Sequence, residues 1–259
     1  MTITSILLFA SAERASPESG PAACAIALAS AHRASLTALV VALDVTTPGA
    51  AADPVAVAAS IGAAATAAGV DCRTVTGHSH AIGVHEAIAD HARTHDLTVA
   101  GCDDAGLLSE RQIAEYLLFE SGRPLIVVPA GYTGGGTGTV AVAWDNTPAA
   151  ARALGDAKPL IGTGEAVLLT IDGDKQIPGE LDADALLLAT RRRGITARPV
   201  NAAKGGRTIA EALQDEAIAA GAGLLAMGGY GHSRLRRFIL GSATAGLLAA
   251  PRLPTLLSH

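Results

Sequence analysis

Residues 227–244, M-G-G-Y-G-H-S-R-L-R-R-F-I-L-G-S-A-T, carry the side chains and spacings in this chain that could do chemistry. They follow a short apolar run, 222–226, that reads as a buried strand. Gly228 and Gly231 permit a sharp turn and a close approach of the backbone to another group. Gly241, Ser242, Ala243 and Thr244 then open the next helical pattern. A helix N-terminus presents free N–H groups. With hydroxyls beside them and no side chain at Gly241, such a start can hold an anion. The combination predicts a phosphate cradle. Because the chain has 29 glycines, the blander alternative, that these only turn the chain, stays open. Arg234, Arg236 and Arg237 lie inside the segment, where any one could reach a phosphate or remain solvated.

The elements that must position this segment follow from composition and pattern. Apolar residues make up 49% of the 259, but aromatics only 3%. The core must therefore be built from Ala, Val, Leu and Ile, as in a parallel sheet covered by helices. A formal net charge of −5 gives no electrostatic reason to expect DNA or RNA binding. No apolar run approaches the roughly 20 residues of a membrane span. The first residues lack the basic start of a signal peptide, and Cys24, Cys72 and Cys102 form no C-x-x-C pair. Together these predict a cytoplasmic protein with free thiols.

Strand and helix patterns alternate along the chain. The first strand is 5–9, followed by a helix over 17–35 begun at Pro17 and a buried strand over 36–45. Helices over 53–68, 82–95 and 109–120 and strands over 71–76, 97–101 and 125–128 complete a first pass. Ser109 is the expected cap of its helix. A glycine-rich linker, 131–138, then marks the one clear boundary, and the order repeats to the C-terminus. Right-handed crossovers make each copy a five-stranded parallel sheet with helices on both faces. The predicted domains are 1–131 and 138–259.

The spacing Gly228, two residues, Gly231, nine residues, Gly241-Ser242 resembles the nucleotide-binding signature of the universal stress protein family. Met227 before the first glycine, Gly231-His232-Ser233 after it, and the apolar run 253–257 are similar to its flanks. The likeness extends over essentially the whole chain and implies the tandem form of that fold, a pair of Rossmann-like domains of the adenine nucleotide α-hydrolase type. It implies ATP or another adenine nucleotide in the C-terminal copy, with or without magnesium. Met227, Gly228, Gly231, His232, Gly241, Ser242, Ala243 and Thr244 would lie on the phosphate side. Asp145 and Thr147, at the end of that copy's first strand, are similar to the family's first-strand signature and would meet ribose or base. Asp145 or Thr147 could equally serve only as a helix cap. Ile171, ending the second strand, matches the place where the family's backbone meets adenine. The resemblance also implies that edge strands join the two domains about a pseudo-two-fold axis, with further homodimerisation left open.

The first copy departs from this pattern. Its first strand ends Phe9-Ala10-Ser11-Ala12 with no acid, and Asp103 and Asp104 stand where a phosphate would sit. Two carboxylates facing a triphosphate repel it, so this copy is expected to bind no ATP. His91 and His95, four apart, have acceptable metal-ligand spacing but no evident third ligand, and no metal site is assigned. No catalytic residue is assigned either; the family leaves room for slow ATP hydrolysis. Three functions therefore compete: a regulatory nucleotide-binding stress protein, an adenylating enzyme of the α-hydrolase group, and an interaction module that has lost its ligand. The adenylating group carries a Ser-Gly-Gly-x-Asp-Ser type loop after its first strand. Here that place reads Asp145-Asn146-Thr147-Pro148, which argues against such chemistry.

Overall fold

The structure, a computed structural model, describes residues 2–18, 20–43, 53–79, 83–104, 109–134, 138–173, 183–229 and 242–259. The chain divides into two compact units, Thr2–Gly135 and Gly136–His259.

The N-terminal unit holds β1 (Ser5–Ser11), α1 (Gly20–His32), β2 (Ser35–Leu43), α2 (Pro54–Ala67) and β3 (Cys72–Ser79). It continues with α3 (Val84–Arg93), β4 (Leu97–Ala100), α4 (Glu110–Glu120) and β5 (Leu125–Val127). Its strands lie in the order β3-β2-β1-β4-β5, and every neighbouring pair is parallel. The C-terminal unit holds β6 (Thr139–Ala143), α5 (Pro148–Ile161), β7 (Glu165–Asp172), α6 (Ala183–Arg192) and β8 (Thr196–Ala203). It continues with α7 (Ile209–Ala219), β9 (Leu224–Gly228), α8 (Ser242–Ala249) and β10 (Thr255–Ser258). Here the order is β8-β7-β6-β9-β10, again all parallel. The two units therefore share one topology, a Rossmann-like five-stranded sheet with helices on both faces. In each, the strand order reverses beside the first strand, at β1/β4 and at β6/β9. Open parallel sheets of this kind bind ligands at that reversal, beyond the carboxyl ends of the strands.

The low aromatic content explains how the layers pack. Ile6, Leu7, Leu8 and Phe9 of β1, and Val140, Ala141 and Val142 of β6, are wholly buried. The facing helices offer Ala, as at Ala22, Ala25 and Ala29 of α1 and Ala150, Ala153 and Ala157 of α5. Small side chains bring these helices close to aliphatic strands. Each Leu, Ile or Val so buried contributes about 1.5–3 kcal/mol.

Helix starts are set by local chemistry. Asp53, Ser109, Thr147 and Thr208 each cap a helix by accepting from a backbone N–H of its first turn. Thr208 and Glu211 form a reciprocal capping box. The helix expected from Pro17 instead begins at Gly20. There the backbone takes φ +61°, Gly20 N donates to Tyr132 O at 2.7 Å, and a Cβ would meet Ala130 O at 2.7 Å. α5 runs two residues past Pro159, and β3 runs to Ser79 rather than stopping at Thr76.

Candidate functional site

In the C-terminal unit the carboxyl ends of β6, β7 and β9 and the start of α8 share one edge. β6 ends at Ala143, and the chain turns through Trp144, Asp145 and Asn146 into α5. Asn146 takes the left-handed conformation, φ +59°, which this residue type tolerates better than most. Asp145 Oδ1 accepts from Thr147 N at 3.1 Å and from the Thr147 hydroxyl at 2.6 Å. Thr147 Oγ1 in turn accepts from Ala150 N at 3.2 Å and caps α5. Asp145 is exposed, and its second oxygen makes no hydrogen bond among the described residues. Of the two roles left open by the sequence, the cap is filled by Thr147, which also fixes the direction of the Asp145 carboxylate.

β7 outruns β6. The last β6 pair is Ala143 with Leu169, and Trp144 N donates to Leu169 O at 2.8 Å. On the other side, Asp172 O accepts from Lys204 N at 2.8 Å. Strand backbone groups alternate in direction. The N–H and C=O of Ile171 therefore face the side that β6 has left.

Met227 and Gly228 close β9. Met227 is buried, and Gly228 lies against the first turn of α5. A Cβ on Gly228 would stand 2.6 Å from Ala149 C and 2.8 Å from Ala150 N. No residue with a side chain fits there unless α5 moves. Gly229 N donates to Ser258 O at 2.7 Å, and the buried Thr244 hydroxyl donates to Gly229 O at 3.5 Å. The first turn of α8 is thereby tied to the end of β9, the strand next to β6. Ser242 is the first residue of α8 and Ala243 the second; of Ser242 only the backbone is described. Gly231, His232 and Gly241 lie outside the described residues. The structure thus brings Asp145, Thr147, Ile171, Met227, Gly228 and the α8 start to one edge.

The matching edge of the N-terminal unit is built differently. A small cavity of about 50 Å³ lies at the ends of β1 and β4, lined by Phe9, Arg14, Cys102, Asp103 and Glu110 among others. Asp103 pairs with Arg14 at 3.1 Å. Asp104 pairs with Arg111 at 2.5 Å and accepts from the Ser109 hydroxyl at 2.5 Å. Sequence reasoning singled out these two acids. It missed Glu110, which is 8% exposed and accepts from Asp103 N at 3.3 Å. Burial, together with Asp103, pushes the Glu110 carboxyl above its usual range, against the opposing pull of the Asp103 N–H and Arg14. The signal available in the sequence was its place, directly after the Ser109 cap.

His95 lies beyond the end of α3. Its Nδ1 donates to His91 O at 2.8 Å, so Nε2 accepts from the Thr37 hydroxyl at 2.9 Å. Both ring nitrogens are thus engaged within the protein. Among the described residues no group of three or more His, Cys, Asp or Glu could hold a metal ion. Burial pushes the Cys24 thiol up to about 12; burial and then Glu110 push Cys102 up to about 12. Neither is a thiolate at neutral pH. No helix among the described residues is long and apolar enough to cross a membrane.

Comparison with solved structures places this architecture. A universal stress protein from Archaeoglobus fulgidus DSM 4304 matches over 99% of this chain and 96% of its own, with TM-score 0.70 and 17% identity. The fold is that of the universal stress proteins. A functionally unknown protein from Pseudomonas aeruginosa PAO1 also matches over 99% of this chain and 92% of its own, with TM-score 0.63 and 13% identity. A universal stress protein in complex with cAMP aligns over 52% of this chain and 100% of its own, with TM-score 0.35 and 15% identity, a likeness too low to bear on the ligand here. No family model and no curated protein matches the sequence. At these identities the universal stress protein likeness speaks for the fold, and function rests on the site itself.

Proposed function

We propose that this chain is a tandem universal stress protein whose C-terminal unit binds ATP or another adenine nucleotide in a regulatory rather than strongly catalytic role. The observation that carries the reading is the convergence at the β6/β9 reversal. A directed carboxylate, Asp145, and a strand-end glycine with no room for a side chain, Gly228, meet the start of α8 there. In this reading the ribose hydroxyls donate to the open oxygen of Asp145. The adenine edge pairs with the backbone of Ile171, where β7 outruns β6. The phosphates lie over the segment from Met227 and Gly228 through Gly231 and His232 to Gly241, Ser242, Ala243 and Thr244, against the N–H groups that open α8. Magnesium, if it accompanies ATP, is held by the phosphates.

The test is calorimetric titration of the nucleotide-stripped protein with Mg-ATP. The expected result is binding in the C-terminal unit that Gly241→Val abolishes, by filling the space for phosphate, while the melting temperature without nucleotide stays unchanged. Retained affinity in that variant removes the glycine segment from the site. No heat at millimolar nucleotide, roughly the −4 kcal/mol level, favours the interaction-module reading instead.

A further inference from the structure

After β9 the chain turns at Gly228 and enters α8 at Ser242. After β4 it turns at Gly101 and enters α4 at Glu110. Glu110 therefore holds in the N-terminal unit the helix-opening position that Ser242 holds in the C-terminal one. Its side chain turns back onto the strand end. The carboxylate accepts from Asp103 N at 3.3 Å and sits so close over Gly101 that a Cβ there would collide with it. Arg14 lines the same cavity. Arg14 Nη1 lies 3.1 Å from Asp103 Oδ2, and both terminal nitrogens are shut off from solvent with no hydrogen bond among the described residues. The cavity of about 50 Å³ has room for a few waters and none for a nucleotide.

We infer that Glu110 is a tethered anion that fills the anion position of the N-terminal unit and so determines that this unit takes no free phosphate. The strand-end N–H of Asp103 and the guanidinium of Arg14 draw negative charge there, against burial and the Asp103 carboxylate, which oppose it. A carboxylate already attached to the chain occupies it without the loss of translational freedom a free anion must bear. Its bulk over Gly101 leaves a phosphate no room there, and in its charged form it also repels one. Asp103 and Asp104 hold Arg14 and Arg111, Asp103 lining the cavity with Arg14, whereas Glu110 is the buried acid over the strand end. The longer connection from β1 to α1, residues 12–19 against 144–147 in the second unit, supplies Arg14 and opens the space. The positional comparison with Ser242 rests on the C-terminal reading, but the experiment below does not.

The experiment uses the full chain carrying Glu110→Ala, with thermal unfolding followed as inorganic phosphate or acetate is added. Emptying the position leaves the Asp103 N–H and Arg14 facing the cavity. The variant is expected to melt lower than wild type and to regain about 3 °C with saturating phosphate or acetate. Wild type and Glu110→Gln, whose amide still fills the space, show no such gain. Adding Arg14→Gln to Glu110→Ala removes the gain. Should Glu110→Ala fail to fold, Glu110→Ser, the residue of the second unit, carries the same expectation. An anion bound in the C-terminal unit shifts all variants alike and cancels in the difference, so failure of either reading is recognised separately. A folded Ala or Ser variant that responds no more than wild type overturns the inference, as does a gain that survives Arg14→Gln.

Discussion

Gly228 shows how a single residue links strand, helix and site. Its Cα faces the backbone of Ala149 and Ala150, so β9 and the first turn of α5 touch through it. Gly228→Ala is expected to push α5 outward and cost about 2 kcal/mol, as overpacking of a close contact does. A lowered denaturant midpoint with reduced nucleotide affinity would bear this out, because the same displacement carries Asp145 and Thr147 with it. A variant as stable as wild type would mean that the contact is loose. The sequence announced this glycine through its neighbours, since a strand pattern ending in Met-Gly-Gly leaves little else to expect. Glu110 had no such announcement. Asp103 and Asp104 follow the strand, yet both pair with arginines, and the buried acid of the cavity comes from the next helix. Which of the three acids is buried depends on how α4 packs back against the end of β4, and that is a tertiary fact.

At the scale of elements, strands were the most legible because a parallel sheet buried on both faces needs continuous apolar runs. Capped helices were next, since Asp53, Ser109 and Thr147 sit where their hydroxyl or carboxylate meets the first turn. The start of α1 was misread because Pro17 is a good first-turn residue, whereas the start at Gly20 is fixed by Ala130 and Tyr132, more than a hundred residues away. Edge strand β3 ran longer than its apolar pattern, being held by its ladder to β2 as far as Leu43 with Ser79. A second long-range tie, Asp96, clamps the amino end of β1 to β4. One of its oxygens accepts from Thr4 N at 2.8 Å, the Thr4 hydroxyl at 2.7 Å, Ser5 N at 3.1 Å and the Ser5 hydroxyl at 3.3 Å. Burial pushes this carboxyl up, but the four donors outweigh it and hold the group below the usual carboxylate range. A carboxylate whose folded value lies below its unfolded one stabilises fully above the unfolded value. That stability is lost as pH falls through the folded value. Asp96→Asn should therefore lower the denaturation midpoint at neutral pH and flatten its decline in acid. An acid limb identical to wild type would assign that decline to other groups.

At the scale of the whole molecule, one topology is used twice and its two reversal points are furnished differently. The repeat was plain in the sequence, because strand and helix patterns recur in the same order on either side of residues 131–138. The asymmetry was visible only in outline, as a glycine motif in one copy and acids in the other. Its physical content is that the edge of the second unit presents an open carboxylate oxygen and a helix start, while the edge of the first is taken by a carboxylate and a guanidinium of its own. On the proposed reading this sets the stoichiometry. Native mass spectrometry of the full chain with Mg-ATP is expected to show one nucleotide per chain, and photolabelling with 8-azido-ATP to modify peptides of residues 136–259 alone. Two nucleotides in wild type would mean that Glu110 yields to phosphate and the N-terminal edge can open. One nucleotide labelled in residues 2–135 would reverse the assignment of the units. A single C-terminal nucleotide, unchanged by Glu110→Ala, would show that the missing acid after β1 and the small cavity suffice to exclude the rest of the nucleotide even when its phosphate position is empty.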